Sequence, residues 1–328
     1  MYITSSLPVG HSEGAGSENQ RFLFAYLYAI SNGLQYVHRP SSRYFAHDDL
    51  SHMSLAESEW SKIFGFLNKS KPISLPVKRF KKLSECCPEY IYKISFSKAY
   101  AYINALHIED RENLLDIIRH EFIAHNKSEI ESIAITDKFV ISIHLRALSP
   151  GDVLTSYDSF PWQHFNFDYG LPDNNPHYYA KLYAKAINEI ARQNSKKNVI
   201  LHIHSTESFD VFESLLDLLD DNIQVEFFLK ESAPKAFMDM INADILIASH
   251  SSFSWLPLLL RTKPSYIRKG FRHFVSMKTQ LIDEVLYDDC SFLGRILIYM
   301  RLKFAYCVFY PKYFFSLITN GIFIRINL

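Results

Sequence analysis

The chain of 328 residues carries no net charge, since 35 basic residues balance 35 acidic ones. The strong positive excess of a nucleic-acid-binding domain is therefore missing. Cysteine is scarce. Its four residues, Cys86, Cys87, Cys290 and Cys307, fit no zinc-like spacing, and adjacent Cys86 and Cys87 are poor disulfide partners. That usage predicts a reducing compartment. The sequence does not open on a basic stretch, an apolar core and a small-residue cleavage site, so no secretory leader is expected. No charge-free apolar run reaches the roughly 18–20 residues that a membrane-spanning helix needs. The longest, Phe22 to Val37, contains Ser31, Asn32, Gly33 and Gln35 and reads as a buried helix. Internal repeats and low-complexity segments are lacking as well. Acidic residues stop at Asp289; beyond it come only the cations Arg295, Arg301, Lys303, Lys312 and Arg325. The tail is thus basic, and the preceding chain holds the matching acidic excess.

What is present is globular. Hydrophobic residues make up 48 % and charged residues 21 %, and the length suits two domains with their own cores. A glycine-bearing loop, Pro8 to Gln20, runs into the apolar stretch Arg21–Ile30, and Leu34–Val37 reads as a strand closing a β-loop-helix-β unit. Leu55–Leu67 and Asp110–Ile123 have helical spacing. The basic run Lys78–Lys82 between them reads as a solvated face. From Phe139 the pattern is regular. Strands are expected at 139–144, 199–204, 223–229, 244–248 and 265–267. Helices are expected after Pro176 and at 209–219, 235–242 and 252–260. Such alternation predicts a parallel, doubly wound α/β sheet.

In open α/β sheets ligands bind outside the carboxyl ends of the strands. The first such end carries His144 and Arg146, which alternation places on one face. A guanidinium there suits a phosphate, because it stays charged and presents a planar fork of donors. The next end carries Ser205-Thr-Glu-Ser208, with Ser205 and Glu207. The last carries Ser249-His-Ser-Ser-Phe-Ser-Trp255, whose hydroxyls can cap a helix and leave its positive end facing an anion.

Three of these stretches together resemble the GDP-fucose-dependent fucosyltransferase superfamily. Gly14-Ala-Gly-Ser-Glu-Asn-Gln-Arg-Phe22 is similar to the G-x-G-N-Q-x-F loop of its alpha-1,2 branch, with two residues inserted. His144-Leu-Arg146 resembles the family's H-x-R motif, and His250-Ser-Ser-Phe-Ser-Trp255 its distal N-S-T-F-S-W-W motif. Ala147 stands where many members carry a second arginine, and Leu256 replaces the second tryptophan.

The resemblance implies an α/β GT-B fold of two Rossmann-like domains, with the donor nucleotide bound by the C-terminal one. An acceptor-side domain at 1–138, a donor domain at 139–290 and a basic aromatic tail at 291–328 are the expected divisions. It further implies an inverting glycosyltransferase that needs no metal or other cofactor and transfers fucose from GDP-fucose to a surface-glycan hydroxyl. Arg146 would hold the diphosphate as the nucleotide leaves. His144, His250, Ser251, Ser252 and Phe253 would line the phosphate end. Ser205 and Glu207 would lie near ribose or base, with Gly14 and Gly16 opposite. The base that takes the acceptor proton would be a loop acid, Glu13 or Glu18, with Asp152 and His11 as further options.

Three other readings stand beside this one. The donor could be a different nucleotide sugar. His202 and His204 share a strand face and could be ligands of a metal-dependent hydrolase, completed by His144, His250 or Glu207. The tail could lie on an anionic membrane. That would make the protein peripheral to the inner face of the plasma membrane, with a lipid-linked oligosaccharide acceptor or a scaffold's role.

Overall fold

The computed structural model describes residues 1–5, 15–38, 53–68, 75–133, 138–145, 178–229, 231–249, 251–267 and 274–282. Two α/β units follow one another, each built on an all-parallel sheet.

The first unit contains β1 (Tyr2–Ser5), α1 (Ala15–Ser31), β2 (Gln35–Tyr36), α2 (Met53–Ile63), β3 (Val77–Arg79), β4 (Ile91–Ile94), α3 (Phe96–Ala105), α4 (Ile108–His125) and α5 (Lys127–Ile133). Its four strands lie in the order β2-β1-β4-β3. The expected glycine loop is shorter than the sequence suggested, because the helix begins at Ala15 and takes in Gly16, Glu18 and Gln20. Glu18 in the first turn suits the positive end of the helix. The basic run is in part the edge strand β3, with Lys78 and Arg79 exposed to solvent. Charged side chains on an edge discourage another chain from pairing there. The expected helix 55–67 ends at Ile63 and continues as a 3-10 turn, Gly65–Leu67.

The second unit contains β5 (Lys138–His144), α6 (Tyr178–Gln193), β6 (Asn198–Ser205), α7 (Glu213–Leu216), β7 (Gln224–Leu229), α8 (Ala233–Asn242), β8 (Ile245–Ala248), α9 (Ser252–Leu260), β9 (Ser265–Ile267) and β10 (Thr279–Leu281). The strands run β7-β6-β5-β8-β9-β10. Counted from β5 this is the order 3-2-1-4-5-6 of a Rossmann domain, whose direction reverses between β5 and β8. The single helix expected at 209–219 is instead a 3-10 turn, Phe209–Phe212, followed by the short α7. Asn188 of α6 captures the chain just beyond, donating to Leu218 O at 2.9 Å and accepting from Asp220 N–H at 3.0 Å.

Alternation along the strands sorts the two faces of this sheet. Ile141, Ile143, Leu201, Ile203, Ile245 and Ile247 pack toward α6 and α7. Leu246 and Ala248 face α8 and α9 and join a core that continues into the first unit. There Phe237 of α8 meets Trp60 and Phe64 at ring separations of 5.3 and 5.7 Å. Trp255 of α9 stacks on Phe24 of α1 at 5.3 Å. One of the two hydrophobic clusters therefore runs between the sheets, and the other lies on the far face of the second sheet.

Candidate functional site

Strand order reverses between β5 and β8, and two of the sequence motifs sit at the carboxyl ends of these strands. His144 ends β5 and Ser249 follows β8; His144 Nδ1 and Ser249 Oγ are 3.4 Å apart. The chain then turns into α9 through a compact set of hydroxyls. Ser251 is the N-cap and accepts from Phe253 N–H at 3.2 Å, while Ser254 Oγ donates to Ser249 O at 3.1 Å. Capping leaves the positive end of α9 at this strand edge, the arrangement that attracts anions in this fold. Phe253 lies against the His144 imidazole, with ring centroids 5.2 Å apart.

The third motif arrives from the other unit. At Gly16 of α1 an added Cβ would sit 2.7 Å from both N and Cα of Phe253 and 3.0 Å from Ser252 C. Only a residue without a side chain permits that approach. One turn on, Gln20 Nε2 donates to Ser252 O at 2.9 Å, and one turn further Phe24 stacks on Trp255. Residues four apart share a helix face, so Gly16, Gln20 and Phe24 form one seam along the start of α9. Gln20 was part of the motif, but sequence reading gave it no role. Its amide ties α1 to the start of α9.

Ser205 is buried at the end of β6. Its hydroxyl donates to Leu145 O at 2.7 Å and accepts from Glu207 N–H at 3.1 Å. It thus pins the segment leading to Arg146 and shapes the turn that bears the half-buried Glu207. Glu18, expected on a loop facing a cleft, is a buried residue of α1, 2 % exposed. Ser252 is half-buried at the first position of α9. Arg146, Glu13, Gly14, His250, Asp152, His11 and the tail 291–328 lie outside the described residues.

His202 and His204 do share a face of β6, but neither His144 nor Glu207 joins them among the described residues. Asp239 of α8 does. His202 Nδ1 is 3.0 and 3.1 Å from its two oxygens, and His204 Nε2 is 2.7 Å from Oδ2. Burial pushes the Asp239 carboxyl up, yet hydrogen bonds from both rings prevail and hold it well below the usual carboxylate range. Nothing local in the sequence marks Asp239, which lies 35 residues from His204 on another element.

No family model and no curated protein matches the chain. Among solved structures it is similar to POFUT1 in complex with GDP, with 10 % identity and a TM-score of 0.39 over 81 % of this chain and 98 % of that one. POFUT1 in complex with GDP-fucose gives 9 % and 0.36 over 86 % and 97 %. The UDP-GlcNAc 2-epimerase from Neisseria meningitidis bound to UDP-GlcNAc gives 13 % and 0.28 over 93 % and 76 %. Likeness at this level transfers no activity, and the functional reading rests on the residues of this chain.

Proposed function

We propose that the protein is an inverting glycosyltransferase of GT-B type that takes a nucleoside-diphosphate sugar, with GDP-fucose favoured. One observation carries the reading. Three motifs, separated by more than a hundred residues each, converge at one place: Gly16 on the backbone of Ser252 and Phe253, and Phe253 on His144. The meeting point is the carboxyl edge of a Rossmann sheet at its reversal of order, where such folds bind nucleotides.

In this reading the diphosphate lies against the start of α9, and Arg146, two residues beyond His144, supplies the fixed positive charge. A departing nucleoside diphosphate gains charge as the glycosidic bond breaks. Preorganised donors at that position stabilise the transition state more than the ground state. Ser251, Ser252, Phe253 and His250 line the phosphate end, and Glu207 lies toward ribose or base. Glu18 or Glu13, at and before the start of α1, takes the acceptor proton. The acceptor is a hydroxyl of a surface glycan, soluble or lipid-linked, and the basic tail touches the inner face of the membrane. No helix among the described residues is long and apolar enough to cross a membrane.

The test is a thermal-shift screen with GDP, UDP, CDP and dTDP, since a ligand that binds only the native state raises its stability. GDP alone is expected to raise Tm, and Arg146→Ala is expected to abolish the rise. A shift with another nucleotide would replace fucose as the favoured sugar. Silence with all four nucleotides would refute the transferase.

A further inference from the structure

The cluster of His202, His204 and Asp239 is outside the proposed transfer chemistry, yet it is among the most organised groups in the molecule. Both rings are buried, at 4 % and 1 % exposure, and one donor atom from each residue lies within 4.8 Å of the others. Phe228 packs on both imidazoles, with centroids at 4.8 and 5.0 Å, and fixes their planes. The outward nitrogens also face acids. Glu226 Oε2 is 3.7 Å from His202 Nε2, and Glu231 Oε2 is 4.0 Å from His204 Nδ1.

These five groups pose a problem of proton placement. A neutral imidazole has one N–H and one lone pair. If both rings turn N–H groups toward Asp239, their lone pairs face the carboxylates of Glu226 and Glu231, acceptor against acceptor. If the N–H groups turn outward, two lone pairs and a carboxylate converge with nothing between them. Charging both rings would place two neighbouring buried cations with centroids 6.4 Å apart and still leave His204 Nδ1 without a hydrogen-bond partner. A divalent cation among the inner atoms resolves all of this. It takes the two lone pairs and the carboxylate and turns both N–H groups toward Glu226 and Glu231, which close from 3.7 and 4.0 Å to complete the carboxylate–histidine–metal pattern of protein metal sites.

We propose that His202 Nδ1, His204 Nε2 and an Asp239 oxygen bind a divalent transition-metal ion of the zinc type. Two imidazoles and one carboxylate suit zinc, cobalt or nickel better than magnesium or calcium, which prefer all-oxygen sets. A tetrahedron with bonds of about 2.0–2.1 Å has edges of roughly 3.3–3.5 Å; the donor atoms now lie within 4.8 Å of one another, so binding draws the two imidazoles together while Asp239 rotates away from them. Three protein donors leave a position for water. Asp239, whose side chain is 19 % exposed, marks the solvent side. The ion would tie α8 to β6 on the sheet face shared with His144, which pairs in register with His204.

The test uses the full chain, stripped with a chelator and titrated separately with zinc, cobalt and magnesium. Stoichiometric zinc uptake, a higher Tm with zinc and none with magnesium are expected. Cobalt should give the intense visible absorption of a low-coordinate site. Asp239→Asn and His204→Gln should each lose uptake, and the wild-type titration decides the matter even if a variant fails to fold. Absence of stoichiometric zinc or cobalt uptake overturns the site, as does uptake unaltered by both substitutions. The nucleotide screen is independent of this result, so either proposal can fail without the other.

Discussion

At the scale of single residues, Gly16 has the sharpest consequence. Glycine inside a helix normally costs about 1 kcal/mol relative to alanine. Here the added methyl would meet backbone atoms of Phe253 at 2.7 Å, which cannot swing aside as a side-chain tip would. Overpacking of this kind costs about 1–3 kcal/mol, enough to outweigh the gain in helix preference. Gly16→Ala is therefore expected to lower Tm by several degrees and to weaken any nucleotide-induced shift. A Tm equal to or above that of the parent chain would show that α1 and α9 are not in this contact. The residue was visible in the sequence as part of a glycine motif, but its reason was not. The motif reads as a flexible loop until the structure places Gly16, Gln20 and Phe24 on one face of a helix.

Elements are held to one another by buried charge as well as by rings. Arg119 of α4, 1 % exposed, donates through Nε to Leu259 O at the end of α9, 2.9 Å away. Its Nη1 lies 3.3 Å from Glu112 and 2.7 Å from Asp116. Glu112 in turn accepts from Ser276 Oγ and Met277 N–H, each at 3.0 Å. One arginine thus joins α4, the last turn of α9 and the segment before β10. Removing one partner of a buried pair strands the other, at about 3–5 kcal/mol. Denaturant titration of Arg119→Met should show a loss of that order, and adding Glu112→Gln should recover part of it. No recovery in the double variant would mean that the stranded charge is not the cause.

Legibility also differed between elements. Strands of the second sheet announced themselves because Val199–Leu201 and Ile245–Ala248 are apolar runs buried on both faces. In the first sheet β2 fell within the expected strand Leu34–Val37, whereas β3 is a three-residue charged edge, too short for any period to register. For the site, His144 and Ser251–Phe253 could be read from their strand-end positions. Asp239 and the seam along α1 depend on tertiary placement that no local pattern encodes.

Over the whole molecule, the continuous core predicts how the chain comes apart. Phe122 of α4 and Trp60 of α2 both pack on Phe237 of α8, at 6.2 and 5.3 Å, so neither sheet can unfold without exposing the other's interior. Calorimetry should give a single transition whose calorimetric and van't Hoff enthalpies agree. Two resolved transitions would show that the units are energetically separate. Such coupling keeps three motifs from distant parts of the sequence at fixed spacing, as the proposed donor site requires.

The seam of Gly16, Gln20 and Phe24 on α9 also constrains movement. Enzymes that enclose their substrates often swing one lobe against another about a few fixed residues. Backbone contact at 2.7 Å from a hypothetical methyl leaves no slack for translation at the seam. Any swing that preserves it must turn about that line, as a door turns on its hinge pin. The residues around His144 and Ser251, beside the axis, would barely move.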